Sequence, residues 1–298
     1  MDLFGQDSWN LLLERISDKR CTPFVGAGAS ATYFPVGAKL AEEWAEESNY
    51  PLGDNTDLTR VAQYLAITRD PMWPKDRMSK LIGSVNPPTL TSPDEPHQVL
   101  AALELPVYLT TNYDGLMTDA LKERGKKVQE SICIWNSGIS AFMPPRFALD
   151  PEFAPTPDNP LVFHLHGHHE FPESLVLTED DYLDYLIRIA SDKDLLPLVV
   201  RKAFMSASLL FVGYRIADWN FRVLFRSLVT YLEFALGRSH YSVQSIPRED
   251  ELTAEGKKRA QDYLVRYFDR QNITVFWGFS QDFTTELGRR WREMSGVG

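Results

Sequence analysis

The chain has 298 residues, 44% hydrophobic and 24% charged, with 31 Lys+Arg against 41 Asp+Glu for a net charge of −10. This is the composition of a globular protein with one large domain or two modest ones, and the acidic balance excludes a nucleic-acid binder that is basic over its whole surface. Cys21 and Cys133 are the only cysteines, which excludes a four-thiolate zinc site and a disulfide framework.

The first ten residues show no basic stretch followed by an apolar core, and the apolar run 228–236 is too short to span a bilayer. A soluble, cytoplasmic protein is expected, with no membrane contact and no direct nucleic-acid binding.

In chain order, 8–16 reads as a short helix with Ser8 as its cap, and 22–25 as a buried-type strand. The turn Gly26-Ala27-Gly28-Ala29-Ser30 follows. Residues 38–48 form a helix whose Glu42, Glu43, Glu46 and Glu47 make a solvated acidic face. A helical pattern over 57–83 is punctuated by Pro71 and Pro74, then come a proline-rich loop at 86–96 and a short helix at 97–103. Strands at 106–111 and 127–134 flank a helix at 114–124. Six prolines mark 144–160 as irregular.

A strand at 161–165, helices at 179–190 and 194–207, and an apolar strand at 209–212 follow. The helix predicted over 218–236 is apolar around most of its circumference. A strand at 241–246, a helix at 251–269 and a strand at 273–277 complete the pattern. Short strands alternating with helices predict an α/β fold: a Rossmann-like, mostly parallel sheet with helices on both faces. We expect one domain over 1–298, its larger part at about 1–37 and 104–298, with a small helical module inserted at about 38–103.

Ligands of such sheets bind beyond the carboxyl ends of the strands. There the sequence places Gly26 to Ser30, then Thr110-Thr111-Asn112-Tyr113-Asp114, then His164-Leu165-His166-Gly167, then Gly213-Tyr214-Arg215 with Asp218 beyond. Individually these signals are open. The two-glycine turn suits a pyrophosphate or a plain tight connection, since Ala31 replaces the third glycine of the dinucleotide fingerprint. Asp114 suits a helix N-cap as well as a ligand contact. His164, His166, His168 and His169 suggest a metal, and His164 and His166 would face the same way on a strand, but no carboxylate–His motif of metal spacing accompanies them. Tyr182 and Tyr185 follow Thr178-Glu-Asp-Asp as aromatics buried by a capped helix.

Taken in order, Gly-Ala-Gly-Ala-Ser, Thr-Thr-Asn-Tyr-Asp and Leu-His-Gly resemble the sirtuin motifs Gly-Ala-Gly-x-Ser, Thr-Gln-Asn-x-Asp and His-Gly, over about residues 20–235. The details look closest to the sirtuin-like NAD hydrolases of prokaryotic antiphage defence, where the last strand also ends in Gly-Tyr followed by an Asp. The resemblance implies that Gly26, Ala27, Gly28, Ala29 and Ser30 hold the pyrophosphate of NAD. It places Asn112 at the nicotinamide ribose and makes His166 the general base. Asp114 would bond the nicotinamide amide, Gly213 would approach the adenosine ribose, and Thr111 and Tyr214 would complete the NAD site.

Cleavage of the nicotinamide–ribose bond passes through an oxocarbenium-like centre with a neutral leaving group, so it needs fixed dipoles, a placed nucleophile and a base, and no strong acid. The paired cysteines that hold zinc in deacylase sirtuins are absent, as is their Phe-Gly-Glu segment after His-Gly. No metal is expected. The expectation is an NAD glycohydrolase with NAD as substrate, acting by NAD depletion in antiphage defence. The alternatives are an NAD-dependent protein deacylase and a non-enzymatic nucleotide-binding subunit. The resemblance further implies a homo-oligomer and a partner ATPase of the HerA translocase type.

Overall fold

A computed structural model describes residues 4–85, 92, 94–214, 239–244 and 253–296. Seven strands, β1 (Cys21–Val25), β2 (Val107–Thr110), β3 (Gln129–Ile132), β4 (Leu161–His164), β5 (Ser208–Val212), β6 (His240–Gln244) and β7 (Ile273–Trp277), form one sheet. Their order is β3-β4-β2-β1-β5-β6-β7 and every pairing is parallel. Parallel strands need helical crossovers, so both faces are covered and both are apolar.

Period-two alternation divides the strand side chains between two cores. Phe24, Leu109, Phe163 and Phe211 join Tyr185, Val200 and Phe204 on one face. Val25, Tyr108, Val162, Leu210 and Val212 join Trp9, Leu100, Leu121 and Phe283 on the other. The second face is closed by helices α1 (Gln6–Ser17), α5 (Pro96–Ala102), α6 (Leu116–Glu123) and α11 (Ser280–Ser295).

A third core belongs to the helical segment: α2 (Gly37–Ser48), α3 (Leu58–Thr68) and α4 (Trp73–Ser84) enclose Leu40, Trp44, Val61, Leu65, Met78 and Ile82. It rests on Leu175 and Leu177, and is pinned to α8 (Glu179–Ser191) by the ion pair Lys75–Asp181 at 2.7 Å and by Gln63 on Asp180. Helix α5 packs instead on α6 and α11, with the sheet.

The acidic face of α2 is solvated, as its sequence predicts. Ser8 is not a cap: Gly5 holds that position, and its carbonyl already accepts the Ser8 N–H, so Ser8 lies inside the first turn. The helical pattern of 57–83 is two helices, because Asp70 accepts the Met72 N–H and Pro71 breaks the run. Helices α7 (Ser137–Phe142) and α11 are additional to the predicted elements. The helix predicted over 218–236, and Arg215 and Asp218, lie outside the described residues. Among those described, no helix is long and apolar enough to cross a membrane.

Candidate functional site

The chain reverses its direction of winding between β1 and β5, which makes the crevice beyond their carboxyl ends the expected ligand position. A tight backbone seam lies there. The Gly26 N–H donates to the Val212 carbonyl at 2.8 Å and the Gly28 N–H to the Gly213 carbonyl at 2.9 Å. Gly213 has φ +85°, and a Cβ there would stand 2.4 Å from both Ala29 N and Gly26 O. Only glycine fits. Cβ atoms on Gly26 or Gly28 would likewise approach Gly213 within 2.9 Å.

Within the turn, the Ala29 N–H donates to Gly26 O and the Ser30 N–H to Ala27 O. The turn's glycines thus serve backbone-to-backbone packing, and four of its five amides already have protein partners. Tyr214 locks the seam: its hydroxyl donates to the Val25 carbonyl at 2.9 Å and accepts from Thr111 Oγ1 at 2.8 Å, while its ring covers Gly26. Burial pushes the Tyr214 phenol far above its ordinary pKa.

The end of β2 is joined to the turn through one side chain. Ser30, 2% exposed, donates from Oγ to Asp114 Oδ2 at 3.0 Å and accepts from Asn112 Nδ2 at 3.0 Å. Asp114 Oδ1 also accepts the Leu116 N–H. Helix α6 starts at Leu116 with Gly115 at its N-cap, so Asp114 braces the turn from just before the cap. Asn112 is 7% exposed, and its Oδ1 is buried without a hydrogen-bond partner.

His166 follows β4. Gly167, with φ +86°, reverses the chain there, and a Cβ would collide with the Ser174 carbonyl at 2.2 Å. The His166 ring is held edge-on by Tyr182 and Tyr185, at centroid distances of 5.2 and 5.1 Å. Its Nε2 is the second buried atom in this region without a partner. Burial lowers the imidazole pKa to about 3, so the ring is neutral at physiological pH and Nε2 or Nδ1 carries a lone pair.

The alternation expected of His164 and His166 does not hold, because β4 ends at His164. His164 turns to the rear of Asn112: Nδ1 contacts the Asn112 carbonyl at 3.1 Å and Nε2 contacts Glu130 Oε1 at 3.2 Å. His168 Nε2 lies 3.8 Å from the same oxygen. This trio has the residue types of a metal centre. Its protons argue otherwise. His168 Nδ1 accepts the Glu170 N–H at 3.2 Å and faces Arg146, which puts its proton on Nε2, the atom a metal would need bare. The trio's hydrogen bonds run from His164 to the Asn112 carbonyl and Glu130, and from the Glu170 N–H to His168 Nδ1.

Asn112, Asp114, Ser30, Thr111, His166, Gly213 and Tyr214 all line one cavity of about 540 Å³, within the range of small-molecule sites. So do Ala27 and Gly28; Gly26 and Ala29 support it from behind. Its opposite wall is the helical segment, with Val36, Leu40, Leu58, Met78 and Ile82, and an aromatic rim at Phe34, Tyr113 and Tyr182. Tyr182 is a contribution that the pattern of a capped, aromatic-burying helix did not assign to the site. Thr178 and Asp181 form the capping box as expected, and that box aims Tyr182 at His166.

Comparison with known proteins gives the family of the chain. The chain is 27% identical over 297 residues to NAD(+) hydrolase ThsA of Bacillus cereus (strain MSX-D12), covering 97% of this chain and 56% of that protein. It is 28% identical over 230 residues to NAD(+) hydrolase ThsA of Cytobacillus dafuensis, covering 77% and 42%. It is 26% identical over 212 residues to Defense-associated sirtuin 2 of Bacillus subtilis, covering 67% and 18%. The chain therefore spans about half the length, or less, of these curated relatives. Residues 106–276 match the SIR2-like domain. That segment contains Asn112, Asp114, His166, Gly213 and Tyr214, and leaves the turn at Gly26–Ser30 outside it. By this match over more than half its length, the chain belongs to the SIR2-like domain family.

Proposed function

We propose that the chain is an NAD glycohydrolase, transferring the ADP-ribosyl group of NAD to water and releasing nicotinamide, ADP-ribose and a proton. The observation that carries this reading is the pair of unpartnered buried atoms, Asn112 Oδ1 and His166 Nε2, on two residues lining one cavity. Buried polar groups are normally satisfied, so two orphans on residues that line one cavity point to a polar ligand there. The relatives' name, NAD(+) hydrolase, supports NAD as that ligand.

In this reading Asn112 holds a ribose hydroxyl or the attacking water with Oδ1, whose dipole also faces the developing cation. Neutral His166 takes the proton. An imidazole with a pKa near 3 is a weak base. It suffices here, because water bonded to a cationic ribose carbon is itself strongly acidic. Asp114 keeps a lone pair on each oxygen for the nicotinamide amide. The turn from Gly26 to Ser30, with Thr111, Gly213 and Tyr214, receives the phosphates and the adenosine ribose. The helical segment closes the opposite wall, so the chain is one sirtuin-like domain with a helical insertion.

NAD depletion in antiphage defence, cytoplasmic placement, a homo-oligomer and a HerA-type partner ATPase belong to the same proposal. It is tested by incubating the purified chain with NAD and following nicotinamide release with and without an acetylated peptide. Release independent of peptide is expected. Release that requires the peptide would make the protein a deacylase, and NAD binding without release would make it a nucleotide-binding subunit.

A further inference from the structure

Two buried acid–histidine pairs stand behind Asn112, and the proposed reaction uses neither. One fixes its main chain: His164 Nδ1 on the Asn112 carbonyl, with Glu130 on the far ring nitrogen. With the backbone held, the orientation of the side-chain amide is the remaining freedom at Asn112.

The other pair lies on the side-chain route. Glu95, 6% exposed, accepts the Gln98 N–H on Oε2 at 2.8 Å and faces His97 Nδ1 with Oε1 at 2.6 Å. His97, 1% exposed, presents Nε2 to Ser30 Oγ at 3.5 Å, the outer limit of a hydrogen bond. Ser30 Oγ lies 3.0 Å from Asp114 Oδ2 and 3.0 Å from Asn112 Nδ2. Neither Glu95 nor His97 lines the cavity. Burial alone would raise the Glu95 carboxyl pKa, but the hydrogen bond and charge of His97 outweigh it and hold the group below its ordinary value.

A hydroxyl has one proton and two lone pairs. Asp114, an acceptor only, takes the Ser30 proton. His97 Nε2, its ring held by Glu95 at Nδ1, closes the other side of the Ser30 hydroxyl at 3.5 Å, farther than Asp114 at 3.0 Å. Ser30 then shows Asn112 only a lone pair, and the amide must approach with its NH₂. Its oxygen is left as the atom without a partner.

We propose that Glu95 and His97 are positioning residues that fix the amide orientation of Asn112 through Ser30. The proposal rests on the NAD-cleavage reading, in which Asn112 Oδ1 is the working atom.

Two readouts on the full chain test it. Imidazole NMR should show a His97 Nδ1 proton hydrogen-bonded to Glu95 in the wild type, and the loss of that bond in Glu95→Gln. In nicotinamide release, Glu95→Gln and His97→Leu should lower kcat about tenfold, the cost of one misdirected hydrogen bond, with KM changed less than about twofold. His97→Gln, which keeps an N–H donor, should recover most of the rate. The absence of the Nδ1–Glu95 hydrogen bond in the wild type, unchanged kcat in the variants, or a His97→Gln rate as low as that of His97→Leu would overturn the proposal. If His97→Leu does not fold, Glu95→Gln and the NMR decide it. A wild type inert to NAD would refute the proposed function, while the NMR still decides the amide lock.

Discussion

The seam between β1 and β5 and the rims of β2 and β4 meet in one cavity but are built on opposite principles. At the seam, Gly26, Gly28 and Gly213 bring backbones into contact, and the polar groups there find one another. At the rims, Asn112 and His166 are braced by neighbours yet keep one buried polar atom each without a partner. The glycine turn, the most conspicuous motif in the sequence, is thus an assembly device first, and the proposed chemistry is assigned to an amide and an imidazole outside it.

If that contrast is right, substitutions at the seam should cost stability. Gly213→Ala forces a positive-φ residue against two backbone atoms at 2.4 Å. We expect a loss of about 3 kcal/mol or more, read as a large drop in Tm or as insoluble protein, since the strain cannot relax into a flexible side chain. A folded, normally stable Gly213→Ala protein would break the comparison.

Acid should strike the rims instead. His166 and His168 have pKa values lowered by burial to about 3 and about 2. Below the ordinary histidine pKa of 6.5 the unfolded chain binds protons that the folded one refuses, so stability is full above that pH and falls as pH drops toward the folded values. At pH 5 this amounts to about 2 kcal/mol per histidine. Glu130, whose pKa is held below its ordinary value, adds to the loss below the normal carboxylate range. Hydrogen exchange at pH 5 should accelerate around residues 164–171 before it does around 24–30. A Tm flat between pH 7 and 5 would contradict this.

The smallest expected effect is that of Thr111→Val, which removes the hydrogen bond to Tyr214. A cost of about 1 kcal/mol is predicted, with the seam otherwise intact. A much larger loss would mean that this tie, and not the glycines, holds the strand ends together.

The sheet was legible because a buried parallel strand is a short apolar run between turns, and β1, β2, β4 and β5 all read that way. The candidate site was legible where residues follow strand ends, and Asn112 and His166 do line the cavity there. Ser30 was legible as part of a phosphate turn, but its side chain faces inward to Asn112 and Asp114, a contact spanning 82 and 84 residues of sequence that no local pattern encodes. The Glu95–His97 pair carried only a faint signal, an acid two residues before a histidine at a proline-led helix start. Helix α11 was missed although its apolar positions bury Phe283 and Leu287, because its many charges made its mean hydropathy low.

The central claim is that the two unpartnered atoms do the work. Nicotinamide release from NAD by the wild type, Asn112→Ala and His166→Ala, with Tm recorded for each, tests it directly. The account predicts turnover in the wild type and a fall of about 100-fold or more in both variants, in protein that still folds. Turnover surviving both substitutions would place the chemistry elsewhere and contradict it.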